Sequence, residues 1–290
     1  MTGPGPSPRE GAALAWDASR QRVVLYGGRG WVPGINDDTW EWDGAQWVNP
    51  LVTGPGPRSN AAMAYDAVRH VVVLFGGDNN SETWQYTASG WSRVAQVGPP
   101  ARSESHMVVD SQRQKIVMFG GFRYSTGLAT QDTWEWDGTA WHEFTGAAPP
   151  ARWAPSMFYD STAGRTIVTG GGTYAPNLTV PTDTWAFDGT RWQQLQDAGA
   201  PAVQRAAAEF HPRLSRGFIV GGADVNFDRP VQAWSWNGAW SSVSAATLPP
   251  GRDMANMVWV DDRSLMMLFG GNGNANDPHG LYGDTWVFAE

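Results

Sequence analysis

The chain has 290 residues, of which 17% are charged and 41% hydrophobic, a composition typical of a globular protein with a large buried core. Its formal net charge of -8 disfavours nucleic acid and anionic membrane surfaces as partners. The absence of cysteine excludes disulfides, cysteine nucleophiles and cysteine-bound metals. No apolar run reaches the roughly 20 residues of a membrane helix, and the first residues lack a signal-peptide pattern. We therefore expect a cytoplasmic protein, with a secreted mature domain as the alternative.

The first predicted repeat shows the pattern that the rest of the chain follows. Arg9 opens a first strand, and a second apolar strand ends at Gly27-Gly28. A polar loop then leads to Asp38-Thr-Trp-Glu-Trp-Asp43, whose period-two alternation predicts a third strand. A turn follows, and Trp47 opens a fourth strand. Each repeat is therefore predicted to be a four-stranded antiparallel meander.

The double glycine recurs about every 50 residues, which is the period of a propeller or another repeat array. An alternating aromatic strand and a further tryptophan follow most of the pairs, and no segment has the pattern of a long amphipathic helix. We predict an all-β domain over residues 1–290 with six repeats. The glycine pairs are Gly27-Gly28, Gly76-Gly77, Gly120-Gly121, Gly170-Gly171, Gly221-Gly222 and Gly270-Gly271.

The double glycine, the two aromatics spaced two residues apart and the later tryptophan resemble kelch repeats over essentially the whole chain. This resemblance implies a six-bladed kelch-type β-propeller of the galactose oxidase central domain-like superfamily. The sequence shows no outer strand for the sixth repeat. We expect either a sixth blade that lacks this strand or a longer parent chain, with a seventh blade as an alternative.

The repeated tryptophans and glycines have a structural explanation. A ring that recurs at one position in nearly every blade is explained by packing between sheets, where each one removes about 150 to 250 Å² from water. The glycine pairs end strands and do not precede helices, so a phosphate-binding loop is disfavoured. Residues that depart from the repeat are better candidates for a site.

An arginine opens the first strand of each repeat on the face where the loops after the double glycines lie. In five repeats it stands 18 residues before the double glycine, but Arg205 stands 16 before it, so repeat five is shorter or shifted. The arginines either brace neighbouring loops or edge a mouth that binds an anionic or polyhydroxylated ligand. The ligand-binding candidates among them are Arg58, Arg102, Arg152 and Arg252.

By the kelch resemblance, the first strands line a central channel. Taking Met107 and its counterparts as core, we expect the opposite parity to face this channel. Glu104, His106 and Glu209 then become candidate acid and base residues, with polar channel lining as the alternative. Asn60 and Asn256 are candidate ligand contacts of the same parity.

Aromatic residues near the mouth do not follow the repeat. They either form a platform for a ligand or pack on one another. Loop six, Asn272–His279, is rich in oxygen donors but lacks the spacing of a calcium loop, and we predict no metal or other cofactor. The aromatic candidates are Trp31, Tyr124, Trp153, Tyr174, Phe227 and Tyr282.

Two functions are consistent with these residues. The first is a ligand-binding module, most simply a monomer, that holds an acidic peptide, a glycan or a polar small molecule over the mouth. The alternative is a cofactor-free lyase, isomerase or cyclase that uses the channel acids and histidine. The resemblance includes copper-radical oxidases, but their cofactor needs a cysteine that this chain lacks. Fold alone does not decide between binding and catalysis.

Overall fold

The computed structural model describes residues 5–31, 34–95, 97–174, 177–196, 198–244, 247–273 and 280–289. These residues form six antiparallel blade sheets and three small two-stranded sheets, and the first strands of neighbouring blades lie side by side in a closed ring. In this part of the chain the one helical segment is a 3-10 turn at Asp261–Arg263. The prediction of an all-β, six-bladed propeller is confirmed.

The first three blades each contain four strands in chain order from the channel outwards. In the third blade a short hairpin also forms in the loop after the double glycine. The strands are β1 (Ala13–Asp17), β2 (Arg22–Tyr26), β3 (Thr39–Trp42), β4 (Trp47–Val48), β5 (Ala62–Asp66), β6 (Val71–Phe75), β7 (Thr83–Thr87), β8 (Gly90–Ala95), β9 (His106–Asp110), β10 (Lys115–Phe119), the loop hairpin β11 (Phe122–Arg123) and β12 (Leu128–Ala129), β13 (Thr133–Trp136) and β14 (Trp141–Phe144).

Blades four and five repeat this order, and the sheet of blade six has three strands within the described residues. The strands are β15 (Ser156–Asp160), β16 (Arg165–Thr169), the loop hairpin β17 (Thr173–Tyr174) and β18 (Leu178–Thr179), β19 (Thr184–Phe187), β20 (Trp192–Gln196), β21 (Ala207–His211), β22 (Arg216–Val220), β23 (Ala233–Trp236), β24 (Trp240–Ser242), β25 (Arg252–Asp253), β26 (Asn256–Val260), β27 (Leu265–Phe269), β28 (Asn272–Gly273) and β29 (Thr285–Ala289).

The core lies between neighbouring sheets. Leu14 of blade one packs with Val258 of blade six, whereas Ala13 on the other face of the same strand packs with Met63 of blade two. Both parities of the inner strand therefore face other blades, and residues of both parities also line the channel. The prediction that one parity points into the channel is wrong, because each sheet stands edge-on to the axis.

The outer-strand tryptophans join each blade to the preceding one. In each case the indole Nε1 donates a hydrogen bond to a threonine hydroxyl on the third strand of that blade, over 2.8 to 3.1 Å. Blade five has Ala233 at this threonine position, and the described residues of blade six supply no such tryptophan. The pairs are Trp47 with Thr285, Trp91 with Thr39, Trp141 with Thr83, Trp192 with Thr133 and Trp240 with Thr184.

The arginines that precede strand one are structural clamps. Arg152 is fully buried, donates to the carbonyl of Gly170, and forms a two-point ion pair with Asp183 at 2.8 and 3.0 Å. Trp185 Nε1 donates to the same carboxylate. Burial alone would raise the pKa of Asp183, but the hydrogen bonds and charge of Arg152 lower it overall. The same clamp forms at Arg9, Arg102 and Arg252, with a glutamate in place of the aspartate at Arg58.

The prediction that Arg58, Arg102, Arg152 and Arg252 edge an open mouth is therefore wrong. All four side chains are buried, and their guanidinium groups are engaged within their own blades. A ligand could reach them only by displacing carboxylates that already satisfy the guanidinium geometry.

Blade five replaces the clamp with neutral residues. Val203 takes the arginine position, since its carbonyl accepts the Gly171 N–H just as the Arg152 carbonyl accepts the Gly121 N–H. Gln232 takes the acid position and accepts the indole N–H of Trp234. Repeat five is therefore shifted by two residues relative to the prediction, and Arg205 lies two residues beyond the clamp position.

We expect Arg152→Met to lower the free energy of unfolding by about 3 to 5 kcal/mol, because it leaves the Asp183 carboxylate partly buried without its counter-charge. Urea unfolding followed by tryptophan fluorescence measures the change. The matched control in the same blade is Arg191→Met, whose side chain is 74% exposed, and it should change stability by less than about 0.5 kcal/mol. Equal effects of the two substitutions would contradict the clamp.

Candidate functional site

A closed belt of backbone hydrogen bonds surrounds one end of the channel. The residue two positions after each clamp position donates its N–H to the carbonyl of its counterpart in the preceding blade, over 2.7 to 3.1 Å. All six have positive φ, between 45° and 60°, a conformation that costs non-glycine residues energy and persists only where the surroundings support it. The belt residues are Gly11, Asn60, Glu104, Ala154, Arg205 and Met254. We call the channel end inside this belt the upper mouth.

The channel is a cavity of about 340 Å³, and all six belt residues line it. His106, Glu209 and Asn256 line it as well. Because the cavity runs along the inner strands to the turns at Ser161 and Pro212, it has a second, lower end on the opposite face.

The upper mouth holds one ion pair across the channel. Arg205 Nη2 of blade five lies 3.0 Å from Glu104 Oε1 of blade three. The small side chain of Ala154, on the blade between them, leaves room for this contact. Burial raises the pKa of Glu104, and Arg205 opposes this rise. Arg205 also lies 5.6 Å from the ring centroid of Phe227, which brings that loop residue to the mouth.

Two further carboxylates, Glu10 and Asp253, lie close enough to interact electrostatically with Arg205, and each is one residue after a clamp arginine. Burial raises the pKa of Glu10, and the negative charge of Asp253 raises it further. Burial also raises the pKa of Asp253, and the ion pair with Arg229 over 2.7 Å opposes this rise. The negative charges of both carboxylates raise the pKa of Arg205 and so favour its charged form. Three carboxyl groups from blades one, three and six therefore surround one arginine.

The polar groups of the upper mouth are incompletely satisfied. Among the described residues, four buried atoms here lack a hydrogen-bond partner: Glu10 Oε2, Glu104 Oε2, Asp253 Oδ2 and Arg205 Nε. Burying such atoms unpaired costs free energy, so they indicate where ligand or solvent polar groups would be stabilised.

An aromatic row lies beside the mouth on blades three and four. Trp153 is buried, and its Nε1 donates to Gln204, the neighbour of Arg205. Tyr174 lies 4.6 Å from the ring of Trp153, and Phe122 links Trp153 to Tyr124 through edge contacts. Trp153 therefore anchors the row, while Tyr124 and Tyr174 are 51% and 54% exposed.

The other predicted aromatics are dispersed. Tyr282 lies over the guanidinium of Arg252 at 4.1 Å, so it covers a clamp. Trp31 is 70% exposed on blade one, away from the aromatic row. The loop aromatics therefore form one row and separate contacts, and do not close a single platform.

The residues predicted as acid and base are held apart. His106 Nδ1 lies 3.0 Å from the Pro155 carbonyl, and burial lowers the pKa of the imidazole, so the ring is neutral with its Nδ1–H bonded to that oxygen. Glu104 is paired with Arg205. Among the described contacts, His106 bonds neither Glu104 nor Glu209, so the arrangement forms no acid–base pair.

Asn60 and Asn256, the two predicted polar contacts, belong to different layers of the channel. Asn60 is part of the belt through its backbone. Asn256 donates its side-chain amide to the carbonyl of Ala12 and so helps join blade six to blade one. Asn60 is the one placed at the upper mouth.

Glu209 lies in the lower half of the channel. Its Oε1 accepts the N–H of Phe210 at 2.8 Å, and its Oε2 lies 3.4 Å from the N–H of Trp259 on blade six. Burial raises the pKa of Glu209 to about 7, and the two backbone hydrogen bonds oppose only part of this rise. The carboxyl is therefore partly protonated near neutral pH.

Sequence reasoning missed Glu10, Gln204 and Asp253. Glu10 and Asp253 each follow a clamp arginine, at a position whose residue type does not follow the repeat. Gln204 was obscured by the shifted register of repeat five. The residue after the clamp position is a serine in blades two and three and a different residue type in each of the other four blades, and this irregularity is the signal that identifies the position.

Metal binding finds no support in the described part of the chain, where no group of three or more His, Asp or Glu side chains is arranged to hold an ion. Most of the oxygen-rich loop six, residues 274–279, lies outside the described residues. No helix in the described ranges has the length and apolar character needed to cross a membrane.

Comparison with known proteins supports the fold alone. No protein-family model matches the chain, and no curated protein matches it by sequence. Among solved structures, the chain is similar to that of YjhT, with a TM-score of 0.77 and 14% sequence identity over 98% of this chain and 96% of that one. Membership in the kelch family stays a prediction.

We expect the pH dependence of stability to change in Glu209→Gln. Because the folded-state pKa near 7 exceeds the ordinary value of 4.5, Glu209 contributes stability below about pH 4.5 and loses it as the pH rises through about 7. The glutamine variant should therefore lose less stability than the wild type between pH 5 and pH 8, as measured by urea unfolding. Replacement of the exposed Glu143 by glutamine is the control, and identical pH profiles for all three proteins would refute the assignment.

Proposed function

We propose that this propeller is a binding protein for a hydroxyl-rich small molecule, such as the end of a glycan chain, held at the upper mouth. The observation that carries the proposal is the set of four unpaired polar atoms on Glu10, Glu104, Arg205 and Asp253. Three of them are acceptors and one is a donor. A ligand with several hydroxyl groups can donate to the carboxylates and accept from the arginine.

The charge around the mouth favours such a ligand over an acidic peptide. Glu104 lines the cavity and Glu10 and Asp253 add negative charge next to it, while the clamp arginines that could attract an acidic chain are buried and paired. A carboxylate-rich partner would meet Glu10, Glu104 and Asp253 and be repelled. Of the three ligand classes considered from the sequence, the glycan and the polar small molecule therefore remain.

The aromatic row supports the same ligand class. Tyr174 and Tyr124 expose ring surface next to the polar mouth, and the buried Trp153 holds Tyr174 in place. Sugar rings combine an apolar face with hydroxyl edges, so a platform of this type beside hydrogen-bonding groups suits them. Arg205, stacked on Phe227, would form the opposite side of the site.

A glycan array followed by calorimetry on the best ligand tests the proposal. We expect Glu104→Gln and Tyr174→Ala each to weaken binding at least about fivefold, since each removes a polar or stacking contact worth about 1 kcal/mol or more. The matched controls are Glu143→Gln and Leu51→Ala, both at exposed positions remote from the mouth.

Circular dichroism establishes that each variant is folded. Unchanged affinity in both mouth variants, or an array on which no hydroxyl-rich ligand binds, would refute the proposal.

A further inference from the structure

The lower half of the channel is chemically distinct from the upper mouth. The fourth residue of each inner strand occupies the same register position, one residue before the strand ends at the lower turn. Five of these six residues are aromatic, and all six line the cavity. They are Trp16, Tyr65, Val109, Tyr159, Phe210 and Trp259, and we call them the lower aromatic ring.

Glu209 lies directly above this ring, on the residue before Phe210. Its carboxyl borders the space between blades five and six, where it meets the backbone of Trp259. The ring of Trp259 packs on His211 at 4.2 Å and its Nε1 donates to Asp261 at 3.2 Å, so the indole is held at the lower end of the cavity. Glu209 therefore places one acid over an aromatic surface inside the cavity.

This carboxyl has no cationic partner among the described residues. Three other buried or partly buried carboxylates show the usual pairing: Asp132 with Arg102, Asp183 with Arg152, and Glu135 with Arg113 and Lys115. Glu209 instead accepts two backbone N–H groups, and no charged side chain acts on it. Buried charges in proteins are normally paired, so an unpaired carboxyl in a cavity is a site where a ligand could supply the positive charge.

We propose that the lower aromatic ring and Glu209 form a binding site for a compact organic cation of the ammonium type. Aromatic faces attract cations through the ring quadrupole, and the attraction is stronger where water is excluded. Glu209 supplies the opposite charge. The indole Nε1 of Trp16 is a buried donor with no partner among the described residues. A hydroxyl oxygen on the ligand could accept a hydrogen bond from it.

The same chemistry argues against a metal ion. Calcium and magnesium require about six oxygen ligands, whereas this part of the cavity offers one carboxyl group among aromatic and aliphatic side chains. The site also differs from the upper mouth, where each carboxylate has an arginine nearby and the ligand we propose is neutral. A result that refutes one of the two proposals therefore leaves the other untouched.

The test compares choline with its neutral isostere 3,3-dimethylbutan-1-ol by calorimetry on the whole chain. The two probes have the same shape and hydroxyl group and differ in the positive charge. We expect choline to bind at least tenfold more tightly than the isostere. Glu209→Gln should reduce this preference at least severalfold, because the amide keeps the shape of the side chain but not its charge and leaves only the attraction of the aromatic faces.

Glu104→Gln distinguishes the two ends of the channel, and thermal melting establishes that both variants are folded. Unchanged choline affinity in Glu104→Gln together with weakened choline binding in Glu209→Gln supports the proposal. Equal binding of the two probes, full choline binding by Glu209→Gln, loss of binding only in Glu104→Gln, or no choline binding by the wild type would each overturn it.

Discussion

The backbone hydrogen bond from the second glycine of each pair to the next blade holds the ring together. Its N–H donates to the carbonyl of the clamp residue in the following blade, at 2.8 to 3.0 Å in all six cases, including the closure from Gly271 to Arg9. The approach is so close that a Cβ on the first glycine would lie 2.3 to 2.7 Å from the same carbonyl oxygen. Only glycine allows this contact, which explains the double glycine as a requirement of assembly rather than of ligand binding.

The clamp arginines serve the same assembly. In blade four, Arg152 joins two parts of its own blade through one guanidinium group: the carbonyl of Gly170 after the second strand and the carboxylate of Asp183 before the third strand. Because the arginine is buried with its carboxylate, the clamp adds little charge to the surface. The clamp pattern is interrupted in one of the six blades.

Blade five is that interruption, and the upper mouth depends on it. The neutral pair Val203 and Gln232 replaces the clamp, while Arg205 occupies the belt position where it reaches Glu104 across Ala154. A small residue on the blade between two charged ones permits this contact. The belt backbone is the same in all six blades, so differences in side chain alone turn a structural ring into a candidate site.

The two ends of the channel follow from one geometric fact: every inner strand begins on one face and ends on the other. The polar residues at the strand starts surround Arg205, and the aromatic residues near the strand ends surround the space below Glu209. Hydrogen bonds position the first set and packing between blades positions the second.

The local period of the sequence was sufficient to predict six sheets of antiparallel strands and the core role of the tryptophans, because alternation and turn residues act over a few neighbours. It did not determine that the clamp arginines are buried, that repeat five is shifted onto Val203, or that Glu10 and Asp253 meet Arg205. These depend on contacts between blades far apart in the chain, and only closure of the ring brings such residues together.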